Sequence, residues 1–190
     1  MTRRRKVVVV CEDAQGRSFT LQALRAYGFH PHAIRVVPLP SKVGGGAGHA
    51  WVAAQYPREL DAARRAGAAT SLVAHIDADE HTVAQRHVQL RDACTTAGVV
   101  PRAATEAVAE LVPRRNIETW IYALDEELAG DLTLSEHDDF RKLKGHERDC
   151  RAAARAFADH ARQRTAPATT TEVPSLVDGL AEFRRVAPQE

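Results

Sequence analysis

A chain of 190 residues with 44% hydrophobic side chains is long and apolar enough to bury a core, which excludes a disordered polymer and favours one domain with a helical appendage. Its 26 Lys and Arg balance 25 Asp and Glu for a net charge of +1, so any attraction to a polyanion must come from a local patch. Three widely spaced cysteines, Cys11, Cys94 and Cys150, form no CxxC pattern, which argues against a disulfide framework or structural zinc and suits a reducing cytoplasm.

The basic start, Met1 to Lys6, precedes an apolar run from Val7 to Cys11 that is far shorter than the core of a signal peptide. No segment approaches membrane-spanning length, so a cytoplasmic protein without a membrane partner is expected. Lys6–Cys11 is a β-branched run of the kind buried on both faces of a parallel sheet, and predicts the first strand. Ser18–Tyr27 carries Phe19, Leu21, Leu24 and Tyr27 at near-helical spacing, with Gly28 where a C-terminal cap belongs. Ala33 to Leu39 predicts strand two, broken by Pro38 and Pro40, and a glycine-rich loop to Gly48 leads into a helix over 49–67, with Pro57 expected to kink or restart it.

Thr70 to Ile76 predicts strand three. Thr82 to Ala97 predicts a helix with Val83, His87, Leu90 and Cys94 facing inward. Ala107 to Pro113 gives strand four, followed by a helix over 116–128. Beyond Gly130 the chain turns charge-rich, with a helix expected over 135–164, a Pro/Ala/Thr linker over 165–171, and a last helix over 173–186. The alternation predicts an α/β fold: a small Rossmann-like, mostly parallel sheet flanked by helices in residues 1–130, with 131–190 a helical extension packed on the same domain.

Two of the predicted strands end in acids, the first at Glu12-Asp13 and the third at Asp77-Ala78-Asp79. The carboxyl ends of strands in an open parallel sheet share one edge, where ligand sites gather, so Glu12, Asp77 and Asp79 are expected to converge. Their repulsion in a half-buried cleft calls for a cation, and hard oxygen donors select Mg²⁺ or Mn²⁺. Taken singly, each acid also reads as a helix cap, Asp79 in particular for the helix beginning near Thr82.

A Glu directly after the first strand and a DxD after a later strand resemble the TOPRIM domain of topoisomerases, bacterial primases and the overcoming-lysogenization-defect nucleases. The block Pro113-Arg-Arg-Asn-Ile-Glu-Thr-Trp120 and the segment Leu39-Pro-Ser-Lys-Val-Gly-Gly-Gly-Ala-Gly48 are similar to a set of bacterial TOPRIM-like proteins, so that the resemblance spans roughly residues 6 to 145. One departure stands out: the first acid of such domains is usually followed by Gly, whereas Asp13 follows Glu12 here and offers a further ligand.

The resemblance implies phosphoryl transfer on nucleic acid, DNA or RNA, at a site holding one or two divalent ions. It makes Glu12 the first-strand acid, with general-base work besides ligation, and Asp77 and Asp79 the metal-holding pair. Glu118, one turn along from Arg114 and Arg115, becomes a further ligand. Arg114 and Arg115 become phosphate-gripping forks, or else solvated arginines at a helix start. Lys144 becomes the lysine near the scissile phosphate, or else a helix-end lysine beside Gly145.

Lys42, in the loop Lys42-Val-Gly-Gly-Gly-Ala-Gly48, belongs to a mobile substrate-contacting segment, because that loop lacks the Gly-Lys-Ser/Thr ending of a P-loop. His75, Asp77, Asp79 and His81 alternate in a way that suits zinc, but a histidine inside an apolar run is more often a satisfied core imidazole. The leading expectation is a Mg²⁺-dependent nuclease or related phosphoryl-transfer enzyme. A protein partner in bacterial defence against foreign DNA enters by family analogy alone. The alternative is a non-catalytic nucleic-acid-binding or complex-assembly subunit with a structural metal site, whose partner supplies the missing basic surface.

Overall fold

The computed structural model describes residues 5–40, 48–67, 69–130, 133–137, 150–167 and 172–186. Four strands, β1 (Lys6–Cys11), β2 (Ile34–Val36), β3 (Thr70–His75) and β4 (Val108–Leu111), form a sheet of order β2-β1-β3-β4 in which every pairing is parallel. The interior strands β1 and β3 are those with uninterrupted apolar runs, because both of their faces lie under helices. Their register pairs Cys11 with His75, so the two strands end level.

Residues of alternate parity face opposite layers. Val7, Val9, Cys11, Val73, Ala109 and Leu111 point to one core, and Val8, Val10, Leu72, Ala74 and Val108 to the other. Helix α1 (Ala14–Tyr27), α4 (Ile117–Leu124), α6 (Arg151–Gln163) and α7 (Pro174–Phe183) supply the first core, and α2 (Gly48–Ala66) and α3 (Val83–Thr96) the second. Phe157 from α6 stacks on Trp120 of α4 with ring centroids 5.7 Å apart and meets Phe183 of α7 at 5.1 Å. The C-terminal helices therefore complete the same core as the sheet, with no core of their own.

Local chemistry explains where elements start and stop. Helix α1 begins at Ala14, four residues before the sequence suggested, because the Asp13 side chain accepts the Gly16 N–H at 2.7 Å and caps it. It ends at Gly28, whose φ of 111° closes the helix in the left-handed region. Helix α2 runs through Pro57 as one element instead of restarting there, with Val52, Tyr56 and Leu60 buried against the sheet on either side of the missing N–H. The helix expected over 116–128 is divided. Asp125 leaves helical geometry and accepts the N–H of Leu128, starting the short α5 (Glu126–Ala129).

Of the helix expected over 135–164, α6 is the part observed. Residues Ser135 to His137 form a turn, in which the Glu136 carboxylate accepts the N–H of Ser175, and 138–149 lie outside the described residues. The last predicted helix appears as α7 with a 3₁₀ turn over Arg184–Val186. Helix α7 covers the sheet edge at β4, where Glu182 accepts the N–H of Glu110 at 3.0 Å, so this edge N–H is not left for another strand. Among the described residues no helix is long and apolar enough to cross a membrane.

Candidate functional site

From β1 the chain crosses to β2 on one side, and from β3 it crosses to β4 on the other, so the crevice beyond the ends of β1 and β3 is the topological switch point of the sheet. Glu12 follows β1 directly, and its N–H still donates to the His75 carbonyl at 3.1 Å. On the far side, Ile76 and Ala78 donate to the carbonyls of Leu111 and Pro113. Asp77 is held between these extensions, and its N–H donates to the Glu12 carboxylate at 3.1 Å. The acids after β1 and β3 thus meet, 65 residues apart in sequence, as the sheet geometry required.

Asp77 is buried, 6% exposed. Burial raises its carboxyl well above the ordinary aspartate range, and the charges of Asp13, Glu12, Glu118 and Asp79 push it further the same way. Glu118 reaches this set from the first turn of α4, where it is itself buried. Glu12 is raised too, first by burial and then by Asp79 and Asp13, against the opposing pull of the Asp77 N–H and the Arg86 charge. Asp77 therefore lies within electrostatic reach of four other carboxylates, of which Glu12 touches it through its N–H. Among the described residues no three His, Cys, Asp or Glu side chains form a ready-made ligand shell.

Asp79 does not cap α3. Thr82 does, accepting the N–H of Gln85 while the Gln85 side chain accepts the N–H of Thr82, so the helix-cap alternative for Asp79 falls away. Asp79 instead adopts a left-handed φ of 53°, a conformation that aspartate tolerates better than most residues. Arg114 fixes this turn by donating to the carbonyls of Asp79 at 2.9 Å and His81 at 2.8 Å. Arg115 pairs with Glu80 on the same loop. The sequence left open whether these arginines grip phosphate or are solvated at a helix start; the structure engages them in tying the β4–α4 turn to the β3–α3 turn. Lys42 and Lys144 lie outside the described residues.

Sequence reasoning missed Arg86. It is 1% exposed on α3, donates to the Ala78 carbonyl at 3.1 Å and to Gln89 at 2.6 Å, and lies within electrostatic reach of Glu12, Asp79 and Asp77. The available signal was its spacing, since Arg86, Leu90 and Cys94 lie on one stripe four residues apart. An arginine in a buried stripe implies a carboxylate or carbonyl partner.

His75 is buried at the base of the cluster. Its Nδ1 lies 2.9 Å from the Thr20 hydroxyl, its ring stacks on Trp120, and Gly16 passes so close that a Cβ there would sit 3.1 Å from the ring. Among the described residues Nε2 has no hydrogen-bond partner, and it stands 3.9 Å from the Asp77 carboxylate. Burial lowers its pKa to about 4, so the ring is neutral at physiological pH. His75 is a buried core imidazole, as its apolar surroundings suggested, but among the described residues it is satisfied only at Nδ1.

No family model matches this chain, and neither do the curated proteins or the solved structures to which it was compared.

Proposed function

We propose that this protein is a metal-dependent nuclease, or a related phosphoryl-transfer enzyme, acting on DNA or RNA at the crevice between β1 and β3, with a TOPRIM-like kinship carried by its motifs. The observation that supports this reading best is the Glu12–Asp77 tie, within electrostatic reach of Asp13, Asp79 and Glu118, at the switch point of a parallel sheet. Such crowding raises the proton affinity of Asp77, and a hard divalent cation relieves the same repulsion more completely.

The donor set suits Mg²⁺ or Mn²⁺, since it consists of carboxylate oxygens without thiolate and with a neutral, buried imidazole. Glu12, Asp77, Asp79 and Glu118 would hold the ion, which when bound supplies electrostatic stabilisation to the charge that builds on a phosphodiester. Glu12 is the more exposed of the tied pair, and its raised proton affinity suits it to accept a proton from an attacking water. Arg86 contributes one positive charge beneath the acids. Arg114 holds the Asp79 turn in its left-handed shape. Arg115, 22% exposed at the rim, is the better placed of the two to reach a phosphate.

A second reading keeps its own support. The net charge of +1 and the engagement of both crevice arginines with protein groups leave the crevice itself without a strong pull on a polyanion, which suits a subunit whose partner holds the nucleic acid, as in a defence complex. Incubation of the protein with single- and double-stranded DNA and RNA in Mg²⁺ or Mn²⁺, beside Glu12→Gln and Asp77→Asn, separates the two. Cleavage abolished by either substitution supports the enzyme. Binding without turnover in either metal supports the subunit.

A further inference from the structure

A second polar cluster lies outside the acid rim, where β4, α2 and α3 meet the C-terminal turn. Glu110 of β4 faces the α2/α3 core and is 4% exposed. Its carboxylate accepts the Tyr56 hydroxyl at 2.5 Å, His87 Nδ1 at 2.5 Å and Arg102 Nε at 2.8 Å. Burial alone would raise this carboxyl, but the His87 hydrogen bond, the Arg102 charge and the Tyr56 hydroxyl outweigh it and hold the group ionised. Arg102 continues to Glu182 at 3.0 Å, and Glu182 to Arg185 at 2.9 Å. A leucine at position 110 would pack this layer with no charge to satisfy, so the network is an unusual choice for a purely structural purpose.

The network borders a cavity of about 510 Å³, lined by Tyr56, His87, Arg91, Arg102, Glu110 and Arg185 together with Ala84, Val88, Cys94, Pro101, Ala103 and Ala104. That volume lies in the range of small-molecule sites. Three guanidiniums, of Arg91, Arg102 and Arg185, border it; Glu110 and Glu182 offset two of them, and Asp92 approaches the third from the exposed rim. Arg91 is 60% exposed, with only a 3.9 Å approach to Asp92, so its fork remains available. The Glu110 carboxylate can only accept, so His87 donates from Nδ1, and among the described residues its Nε2 has no protein partner. Val88, 39% exposed, and the alanines give the cavity an apolar wall.

We propose that this cavity is a ligand site for a small organic anion, with Arg91 taking the acid group, His87 Nε2 reading a further polar atom, and the Val88 wall receiving the apolar body, while Arg185 is held at its edge by Glu182 and the Ala104 carbonyl. Glu110 is a positioning residue that sets the orientation of His87 and Arg102. The site is independent of the acid rim and of the activity proposed there.

The experiment uses three aromatic probes, phenyl phosphate, benzoate and its uncharged near-isostere benzamide, titrated into the full chain with detection of the histidine ring signals by NMR. Binding of phenyl phosphate or benzoate that shifts the His87 resonances while benzamide does not is the expected result, and the stronger of the two identifies the head group as phosphate or carboxylate. Arg91→Ala, at an exposed position, should weaken that anion roughly tenfold. Asp77→Asn should leave it unchanged. No shift at His87 with either anion, equal binding of benzamide, or undiminished affinity in Arg91→Ala would each overturn the proposal.

Discussion

The Glu12 carboxylate and the Asp77 backbone N–H meet at 3.1 Å, so one acid of the rim fixes the position of another through the main chain. Glu12 has two separable roles here, as hydrogen-bond acceptor and as negative charge. Glu12→Gln keeps an acceptor of the same shape and should hold thermal stability close to that of the parent while lowering Mn²⁺ affinity. Glu12→Ala removes both and should destabilise by about 1 kcal/mol, the usual net worth of one hydrogen bond. Paired thermal melts and Mn²⁺ titrations check this, and equal melts for the two variants would show that the tie contributes nothing.

The pH dependence follows from the direction of the Asp77 shift. Its folded pKa lies above the unfolded value, so in the interval between them the folded chain binds more protons than the unfolded one. Metal-free stability contributed by this group is thus greatest at acid pH and is lost as pH rises from the ordinary aspartate value through the raised one. Asp77→Asn should remove that slope and stabilise the metal-free protein at neutral pH by about 1 kcal/mol. His75 opposes it, since its lowered pKa makes stability fall as pH drops from its ordinary value toward about 4. The informative measurement is therefore the difference between parent and Asp77→Asn denaturation profiles, in which the slope at and above the ordinary aspartate range should flatten in the variant, together with any influence of the Asp77 charge on neighbouring His75.

Arg114 donates to two carbonyls of the turn that carries Asp79. Arg114→Ala should destabilise by roughly 1–3 kcal/mol, because it leaves part-buried carbonyls unsatisfied and frees a left-handed turn. Arg114→Lys should restore little of this, since one ammonium lacks the reach and geometry of the fork. Chemical denaturation measures the loss. Faster amide exchange at His81 and Thr82 in Arg114→Ala would localise it to the turn.

Gly179 lets α7 lie against Trp120. A Cβ added there would sit 2.1 Å from Cη2 of the indole, a ring held in turn by Phe157 and by the bond from Nε1 to Ser175 at 3.1 Å. Gly179→Ala should destabilise by about 1–3 kcal/mol despite the better helix propensity of alanine. A variant as stable as the parent would mean that α7 shifts away without loss.

Much of this architecture was legible because β1 and β3 announce themselves. Strands buried on both faces have a signature that short edge strands lack, and β2, expected over Ala33 to Leu39, spans only Ile34–Val36 behind a 3₁₀ turn. The meeting of Glu12 and Asp77 followed from strand ends sharing an edge, a rule of topology that needs no knowledge of side-chain packing. What stayed hidden depends on partners distant in sequence. Nothing local to Arg86 says that it lies beneath the acids, nothing local to Glu110 says that a tyrosine 54 residues earlier donates to it, and Arg114 looked like a phosphate ligand because its carbonyl partners lie on another loop. The early start of α1 was local and readable, since Asp13 three residues before Gly16 is a cap, but the same residue also read as a metal ligand.

The reading of the acid rim as a divalent-cation site for phosphoryl transfer is most directly tested by Mn²⁺ binding followed by paramagnetic resonance, on the parent chain and on Asp77→Asn. The parent should bind Mn²⁺ competitively with Mg²⁺, and Asp77→Asn should bind it at least tenfold more weakly while remaining folded, a loss on the scale of one charged ligand. Undiminished Mn²⁺ affinity in folded Asp77→Asn, or no Mn²⁺ binding by the parent, would contradict it.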